Sequence, residues 1–169
     1  MDNSMKTIIF YATKHGAARD IAQRIADKIG GADLHDLKQS DIPDFAEYDC
    51  VIVGSSIYAG NIRKEAKAFL SQNVDALKGK RLGIFMSGMG RGDEKEALAA
   101  AFPKALLKNA KAASVLGGIF DPQKAGFIEW LVMRIITGKS EYIETISDAK
   151  ISDFVDALID GMEGQSACQ

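Results

Sequence analysis

The residues that first suggest chemistry are six in a row near the start of the chain: Thr13, Lys14, His15, Gly16, Ala17 and Ala18. They follow an apolar run and precede an amphipathic segment, as a loop between a buried strand and a helix does. A hydroxyl, two basic side chains and a glycine that admits a ligand close to the backbone suit an anion. Because the first N–H groups of a helix are unpaired and its dipole is positive there, the expected anion is a phosphate. The alternative is a plain connection with no ligand.

A second stretch carries an aromatic side chain next to small residues: Ser56, Ile57, Tyr58, Ala59 and Gly60. It follows the clearest buried strand of the chain. An aromatic ring beside a glycine at the edge of a sheet can stack on a flat ligand ring. The alternative is a tyrosine that packs on its own loop for structural reasons.

A third stretch is rich in glycine and follows another apolar strand: Ser87, Gly88, Met89 and Gly90. Glycines let backbone N–H and C=O groups reach the edge of a planar ligand, although a flexible turn has the same composition. A phosphate loop, an aromatic residue and a glycine-rich wall together describe a mononucleotide with a flat ring. Flavin mononucleotide (FMN) fits all three.

Other chemistries fit these positions less well. A phospho-receiver needs acidic residues after the first and third strands, where the chain has Ala12-Thr13 and Gly54-Ser55. The stretch from Gly54 lacks the spacing of a nucleophile elbow, and no dinucleotide or P-loop fingerprint follows the first strand. With only His15 and His35 in the chain, a histidine-based metal site is not expected. The sequence therefore predicts no catalytic side chain and no metal site.

Hydrophobic periodicity predicts the elements that would hold these loops. Strands are expected at residues 6–11, 32–37, 49–54, 81–87 and 113–120. Helices are expected at residues 19–29, 64–77, 93–109, 127–137 and 148–162, with a break near Pro103 in the third of them. Residues 55–63 are expected to form a loop.

Strands that alternate with helices in this way predict the α/β class. We expect a three-layer sandwich in which a five-stranded parallel sheet of order 2-1-3-4-5 has helices on both faces. The three stretches would meet outside the carboxyl ends of the strands, where such sheets bind ligands. The 169 residues and the lack of a linker predict one domain over residues 1–169, with an ordered core at about 5–162.

Composition narrows the partners and the compartment. A formal net charge of -2 and a pI near 5.7 argue against nucleic-acid binding. Cys50 lies in an expected buried strand and Cys168 in a polar tail, so a disulfide is not expected and a reducing compartment fits. No signal peptide or membrane-spanning run is visible. We expect a cytoplasmic protein.

At this point the chain resembles the flavodoxin family. Residues 13–18 stand where that family has the phosphate loop S/T-x-T-G-x-T: Thr13 and Gly16 match, whereas His15 and Ala18 replace hydroxyl residues. Tyr58 stands where a flavodoxin aromatic covers the flavin. The third loop lacks the tyrosine usual on the opposite face, and Met89 is the candidate to replace it.

The chain most resembles the branch that includes menaquinone-dependent protoporphyrinogen oxidase. That branch has T-[RK]-x-G followed by G-x-S-I-x-x-G, which residues 13–16 and 54–60 match. A strand end at Leu116-Gly117-Gly118, an apolar segment and Gly138-Lys139-Ser140 match further features. The resemblance covers nearly the whole chain.

The resemblance implies a flavodoxin-like fold and a protein that transfers electrons through non-covalent FMN. Its partner would be a redox protein or a quinone. One alternative is an FMN-dependent protoporphyrinogen dehydrogenase with a quinone acceptor. The other is an interaction domain that has lost the flavin, as the substitutions at His15 and Ala18 would allow.

The apolar segment Phe127–Thr137 has two interpretations. It is either a helix buried on the fold or a surface that contacts a membrane or a partner and helps to reach a quinone or porphyrin. It is too short to span a bilayer. The second interpretation would place the protein at the inner face of the membrane.

Overall fold

The computed structural model describes residues 5–89, 92–138 and 141–160. The strands are β1 Thr7–Ala12, β2 Asp33–Asp36, β3 Cys50–Tyr58, β4 Asn61–Ile62, β5 Arg81–Ser87, β6 Ala112–Val115, β7 Ile119–Phe120 and β8 Ile143–Glu144. The helices are α1 Ala17–Ile29, α2 Lys64–Gln72, α3 Val74–Lys78, α4 Glu94–Ala101, α5 Lys104–Asn109, α6 Phe127–Thr137 and α7 Asp148–Ile159. Gly90 and residues 161–162 of the last predicted helix lie outside the described residues.

The main sheet is parallel along the order β2-β1-β3-β5-β6. This confirms the predicted order, since β5 and β6 are the fourth and fifth strands of the expected sheet. The short strand β4 lies outside this order and pairs antiparallel with the last residues of β3. β3 lies at the centre, where Ile52 is in register with Ile9 of β1 and Gly83 of β5.

Two apolar cores lie on opposite faces of the sheet, because successive strand side chains point to opposite sides. Phe10 of β1 packs with Phe69 of α2 on one face, in the core that α2 to α5 cover. Ile9 packs with Ile21 of α1 and Phe154 of α7 on the other. The helices therefore form the two outer layers of the predicted sandwich.

The predicted loop at residues 55–63 is wrong. β3 runs on to Tyr58, turns through Ala59 and Gly60, and pairs with β4. Both turn residues have positive φ, 49° and 78°, which is the twist that a two-residue hairpin requires. The sequence pattern of a buried strand ends at Gly54 because polar Ser55 and Ser56 follow it, although Ser55 is still buried.

The predicted last strand at 113–120 is also divided. β6 ends at Val115, and Ile119–Phe120 forms an antiparallel pair with β8. Between them Gly117 has a φ of 93°, and a Cβ there would lie 2.1 Å from the carbonyl oxygen of Thr145. The chain bends where only glycine fits.

The predicted break at Pro103 is confirmed, since α4 ends at Ala101 and α5 begins at Lys104. The helix predicted at 64–77 is divided at Asn73, whose side-chain N–H donates to the carbonyl of Phe69 over 2.8 Å.

Candidate functional site

The carboxyl ends of β1, β3 and β5 lie side by side and open onto one cavity of about 320 Å³. Ten of the predicted site residues line it: Lys14, His15, Ala17, Ser56, Ile57, Tyr58, Ala59, Ser87, Gly88 and Met89. Thr13, Gly16, Ala18 and Gly60 belong to the same loops but do not line the cavity. The structure therefore brings the three predicted loops together, whereas it does not describe Gly90.

The first loop is shaped by Gly16, which precedes α1 with a φ of 97°. Its N–H donates to Thr13 Oγ1 over 2.9 Å, and its carbonyl accepts from Asp20 N, which closes the first turn of the helix. The N–H groups of Ala17 and Ala18 come too early in the helix to find an intrahelical acceptor. The methyl group of Ala18 is fully buried in the core, so only its backbone can serve a ligand.

The two basic side chains of this loop, Lys14 and His15, both contact one acidic residue. Lys14 Nζ forms an ion pair with Glu129 of α6, and His15 Nε2 lies 3.0 Å from the other oxygen of the same carboxylate. Partial burial lowers the pKa of His15 from its ordinary value, as do the nearby charges of Lys14 and Arg63. Because a carboxylate oxygen can only accept, a proton on His15 Nε2 makes this contact a hydrogen bond to Glu129.

The hairpin of β3 and β4 forms the second wall of the cavity. Tyr58 is 46% exposed, and Lys14 Nζ lies 4.2 Å from the centroid of its ring. The side-chain amide of Asn61 donates to the carbonyl of Ala59 over 3.1 Å, which fixes the tip of the hairpin. The aromatic ring thus stands at the mouth of the cavity beside the first loop.

Ser56 has a buried hydroxyl without a hydrogen-bond partner among the described residues. Buried polar groups are rarely left unpaired, so an orphaned hydroxyl in a cavity wall suits a polar ligand. The rest of the lining is largely apolar, with Ile57, Met89 and Phe120 among it. The unpaired N–H groups of α1 and this mixed lining fit a ligand that has one phosphate and one flat ring.

The third loop approaches the others closely because of its glycines. Gly88 donates its N–H to the carbonyl of Gly117 over 3.0 Å, and a Cβ on Gly88 would lie 2.4 Å from a methyl carbon of Ile57. Met89 lies close to Gly118: a Cβ added to Gly118 would be 3.2 Å from Cγ of the Met89 side chain. Met89 therefore lines the cavity, and its role as a replacement for the tyrosine stays a prediction.

The fourth wall was not predicted. It consists of the turn at Gly118, Ile119 and Phe120 and of four residues of α6: Ile128, Glu129, Val132 and Met133. The apolar run of residues 127–137 correctly predicts the helix, but the interpretation of α6 as a buried helix is wrong, because none of its residues is buried. Phe127 and Ile135 are each 75% exposed. Within the described ranges, no helix has the length and apolarity needed to cross a membrane.

Comparison with known proteins supports the same interpretation of the fold. A family model described as flavodoxin domain matches residues 8–146. A flavodoxin of Synechocystis sp. is 31% identical over 47% of this chain and 50% of its own length. The protoporphyrinogen IX dehydrogenase [quinone] of Escherichia coli is 29% identical over 43% of this chain and 42% of its own. The matches thus span half or less of these curated relatives.

Among solved structures, a short-chain flavodoxin associated with a bacterial microcompartment superposes with a TM-score of 0.53. The superposition covers 92% of this chain and 97% of that one at 18% sequence identity. At this identity the likeness shows a shared fold.

Proposed function

Because the chain belongs to the flavodoxin domain family, we propose that it binds FMN non-covalently and transfers electrons through it. The observation that carries the proposal is the cavity at the carboxyl edge of the sheet. It joins the first turn of α1, the unpaired hydroxyl of Ser56 and an apolar lining in one place. Each of these features serves a different part of a flavin mononucleotide.

Different residues would bind the phosphate, the ring faces and the polar ring edge of FMN. The N–H groups of Ala17 and Ala18, with Lys14 and the Thr13 hydroxyl, would hold the phosphate. Tyr58 and Met89 would bound the flat ring, and Ser56 and the backbone at Gly88 would bind its polar edge. FMN, when bound, supplies the redox chemistry, so the protein needs no acid–base side chain of its own.

The test is a titration of the flavin-free protein with FMN, followed by visible absorption and by quenching of flavin fluorescence. We expect saturation at one FMN per chain. Gly16→Ala places a Cβ at a φ of 97°, where alanine costs about 1–2 kcal/mol, so a loop that relaxes from this conformation should bind FMN roughly 5- to 30-fold more weakly.

Gly30→Ala is the matched control. Gly30 lies at the other end of α1 with a φ of 90°, and a Cβ at either glycine meets no atom within 4 Å. Both variants therefore carry similar backbone strain, but only the first touches the loop. Equal affinities of the two variants would contradict the placement of the phosphate, and a protein that ignores FMN would contradict the function.

A second candidate function is the dehydrogenation of protoporphyrinogen with a quinone as acceptor, because the Escherichia coli relative is named protoporphyrinogen IX dehydrogenase [quinone]. The observation that favours it is the outer face of α6. Phe127, Leu131, Ile135 and Ile136 are exposed there and do not line the cavity. Of the helix's two charged residues, Glu129 is paired with the first loop, and the Arg134 guanidinium lies 5.2 Å from the centroid of the Trp130 ring. We propose a lipid bilayer as the occupant of this face. Lys124, whose side chain is 64% exposed with its ammonium 3.9 Å from the Asp121 carboxylate, would meet anionic headgroups.

The experiment compares turnover of protoporphyrinogen with menaquinone in anionic lipid vesicles and with a water-soluble quinone. Ile135→Glu changes the outer face without touching the cavity, so we expect it to reduce turnover with the vesicle-borne quinone alone. Ile42→Glu, at another exposed isoleucine, is the control and should change neither rate. An equal loss of turnover with both quinones in Ile135→Glu would contradict the membrane role of the outer face. If the unsubstituted protein turned over protoporphyrinogen with neither quinone, the second candidate would be refuted and the electron-carrier function would stand.

A further inference from the structure

Glu129 belongs to α6 but makes its contacts with a loop more than a hundred residues away. Its two carboxylate oxygens engage Lys14 Nζ and His15 Nε2, and one of them also accepts the N–H of Gly126 over 3.3 Å. The side chain is only 14% exposed. An acidic group thus already holds both basic side chains of the proposed phosphate loop.

Glu129 connects α6 to the rest of the fold by ion pairs. Among the described residues, it is the one residue of α6 that forms an ion pair outside the helix. No residue of the helix is buried, and its ring contacts, between Phe127, Trp130 and Arg134, stay within the helix. Its inner face nevertheless closes the cavity with Ile128, Val132 and Met133.

We infer that Glu129 is the positioning residue that holds α6 over the cavity, and that a phosphate bound by the first loop displaces it. The carboxylate and a phosphate need the same partner, the Lys14 ammonium, and two anions side by side repel each other. Binding of phosphate therefore loosens α6, and closure of α6 weakens binding of phosphate. The inference rests on the proposed function, because it takes the first loop as the phosphate site.

The chain contains its own reporter for this movement, because Trp130 is its only tryptophan and follows Glu129 directly. Inorganic phosphate serves as the probe, since it lacks a flavin ring that would itself quench tryptophan. In the flavin-free full chain, we expect phosphate to increase the quenching of Trp130 by acrylamide until the site saturates. Glu129→Gln should show the increased quenching without phosphate and gain little more when phosphate is added.

Two substitutions separate displacement from a merely structural role of the ion pair. Glu129→Gln and Lys14→Gln both break this ion pair, so both should raise the quenching of Trp130. Their phosphate affinities should move in opposite directions, about two- to fivefold tighter for Glu129→Gln and weaker by a similar factor for Lys14→Gln. Calorimetry measures these affinities. Glu141→Gln, an exposed charge change near the same helix, should resemble the unsubstituted protein.

Three results would overturn the inference. Phosphate could bind without altering Trp130, the two variants could shift phosphate affinity in the same direction, or phosphate could fail to bind at millimolar concentration. Titration of the same samples with FMN, read at visible wavelengths, tells whether the proposed function fails as well. FMN binding together with an unresponsive Trp130 would refute only the role of Glu129.

Discussion

Ala59 has a backbone conformation that alanine rarely adopts. Its φ is 49°, and it is the one non-glycine residue with a positive φ in the described part of the chain. We expect Ala59→Gly to stabilise the protein by about 0.5 kcal/mol, because relief of about 1 kcal/mol of strain exceeds the entropy that glycine adds to the unfolded chain. Urea unfolding followed by circular dichroism measures the change.

The control for this variant is Ala46→Gly, in another exposed turn where φ is not positive. There glycine relieves no strain, so the free energy of unfolding should fall by about 0.4–1 kcal/mol. The opposite signs of the two variants are the expected result. A loss of stability in both would mean that the hairpin tip is not strained.

At the scale of single residues, the sequence predicted what the local chain determines. Thr13 and Gly16 could be recognised because their types fit a loop before a helix, and the structure gives that loop the expected shape. Glu129 could not be found, since nothing in its neighbourhood along the chain points to Lys14. The unpaired hydroxyl of Ser56 likewise becomes visible only when the walls of the cavity are known.

Glu94 connects three elements. The carboxylate of this α4 residue accepts from Ser114 Oγ and Val115 N of β6 and from Lys150 Nζ of α7, at 2.6 to 2.8 Å. Partial burial acts to raise the pKa of Glu94, but the hydrogen bonds from Lys150, Ser114 and Val115 outweigh it and leave the pKa below its ordinary value. The ionised carboxylate is therefore a stabilising group in the folded state.

A lowered pKa in the folded state fixes the sign of the pH dependence. The stabilisation is present above the ordinary value of 4.5 and is lost as the pH falls through the lower pKa of the folded state. We expect Glu94→Gln to reduce the free energy of unfolding by about 1 kcal/mol at neutral pH, allowing for solvent at the partly exposed carboxylate. At an acidic pH below the folded-state pKa of Glu94, the difference should shrink toward zero.

Unfolding by urea at both pH values measures this, with Glu96→Gln as the control. Glu96 is exposed on the same helix, so its substitution removes the same charge without the three hydrogen bonds. A pH-independent difference for Glu94→Gln would show that its charge is not what stabilises the three elements.

Among the elements, those with one apolar face were predicted well. Ile21 and Ile25 place α1, and Pro103 divides α4 from α5 as proline must. β3 beyond Gly54 was missed because Ser55 and Ser56 interrupt the apolar pattern and the strand becomes exposed toward Tyr58. For α6 the apolar composition left burial and an exposed surface both open, because composition alone cannot distinguish a core helix from an exposed apolar helix.

At the scale of the whole molecule, the sheet order followed from alternation and from the handedness of crossovers. Once the order is known, the meeting of the three loops follows, because the carboxyl ends of neighbouring parallel strands share one edge. The position of α6 does not follow from these rules. It comes after the last strand of the main sheet, at the end of a connection that no pairing rule constrains.

β3 is one continuous strand with two different environments. Its residues from Cys50 to Ser55 are fully buried at the centre of the sheet, whereas Tyr58 is exposed beside the cavity. Amide deuterium uptake along this strand should therefore be graded: the inner amides should exchange only when the whole domain opens, and the outer amides by local fluctuations of the hairpin. A ligand in the cavity would slow the outer amides and also the inner ones, by the free energy that its binding adds to global stability. Uptake resolved along this one strand would thus report the occupancy of the cavity and the global stability together.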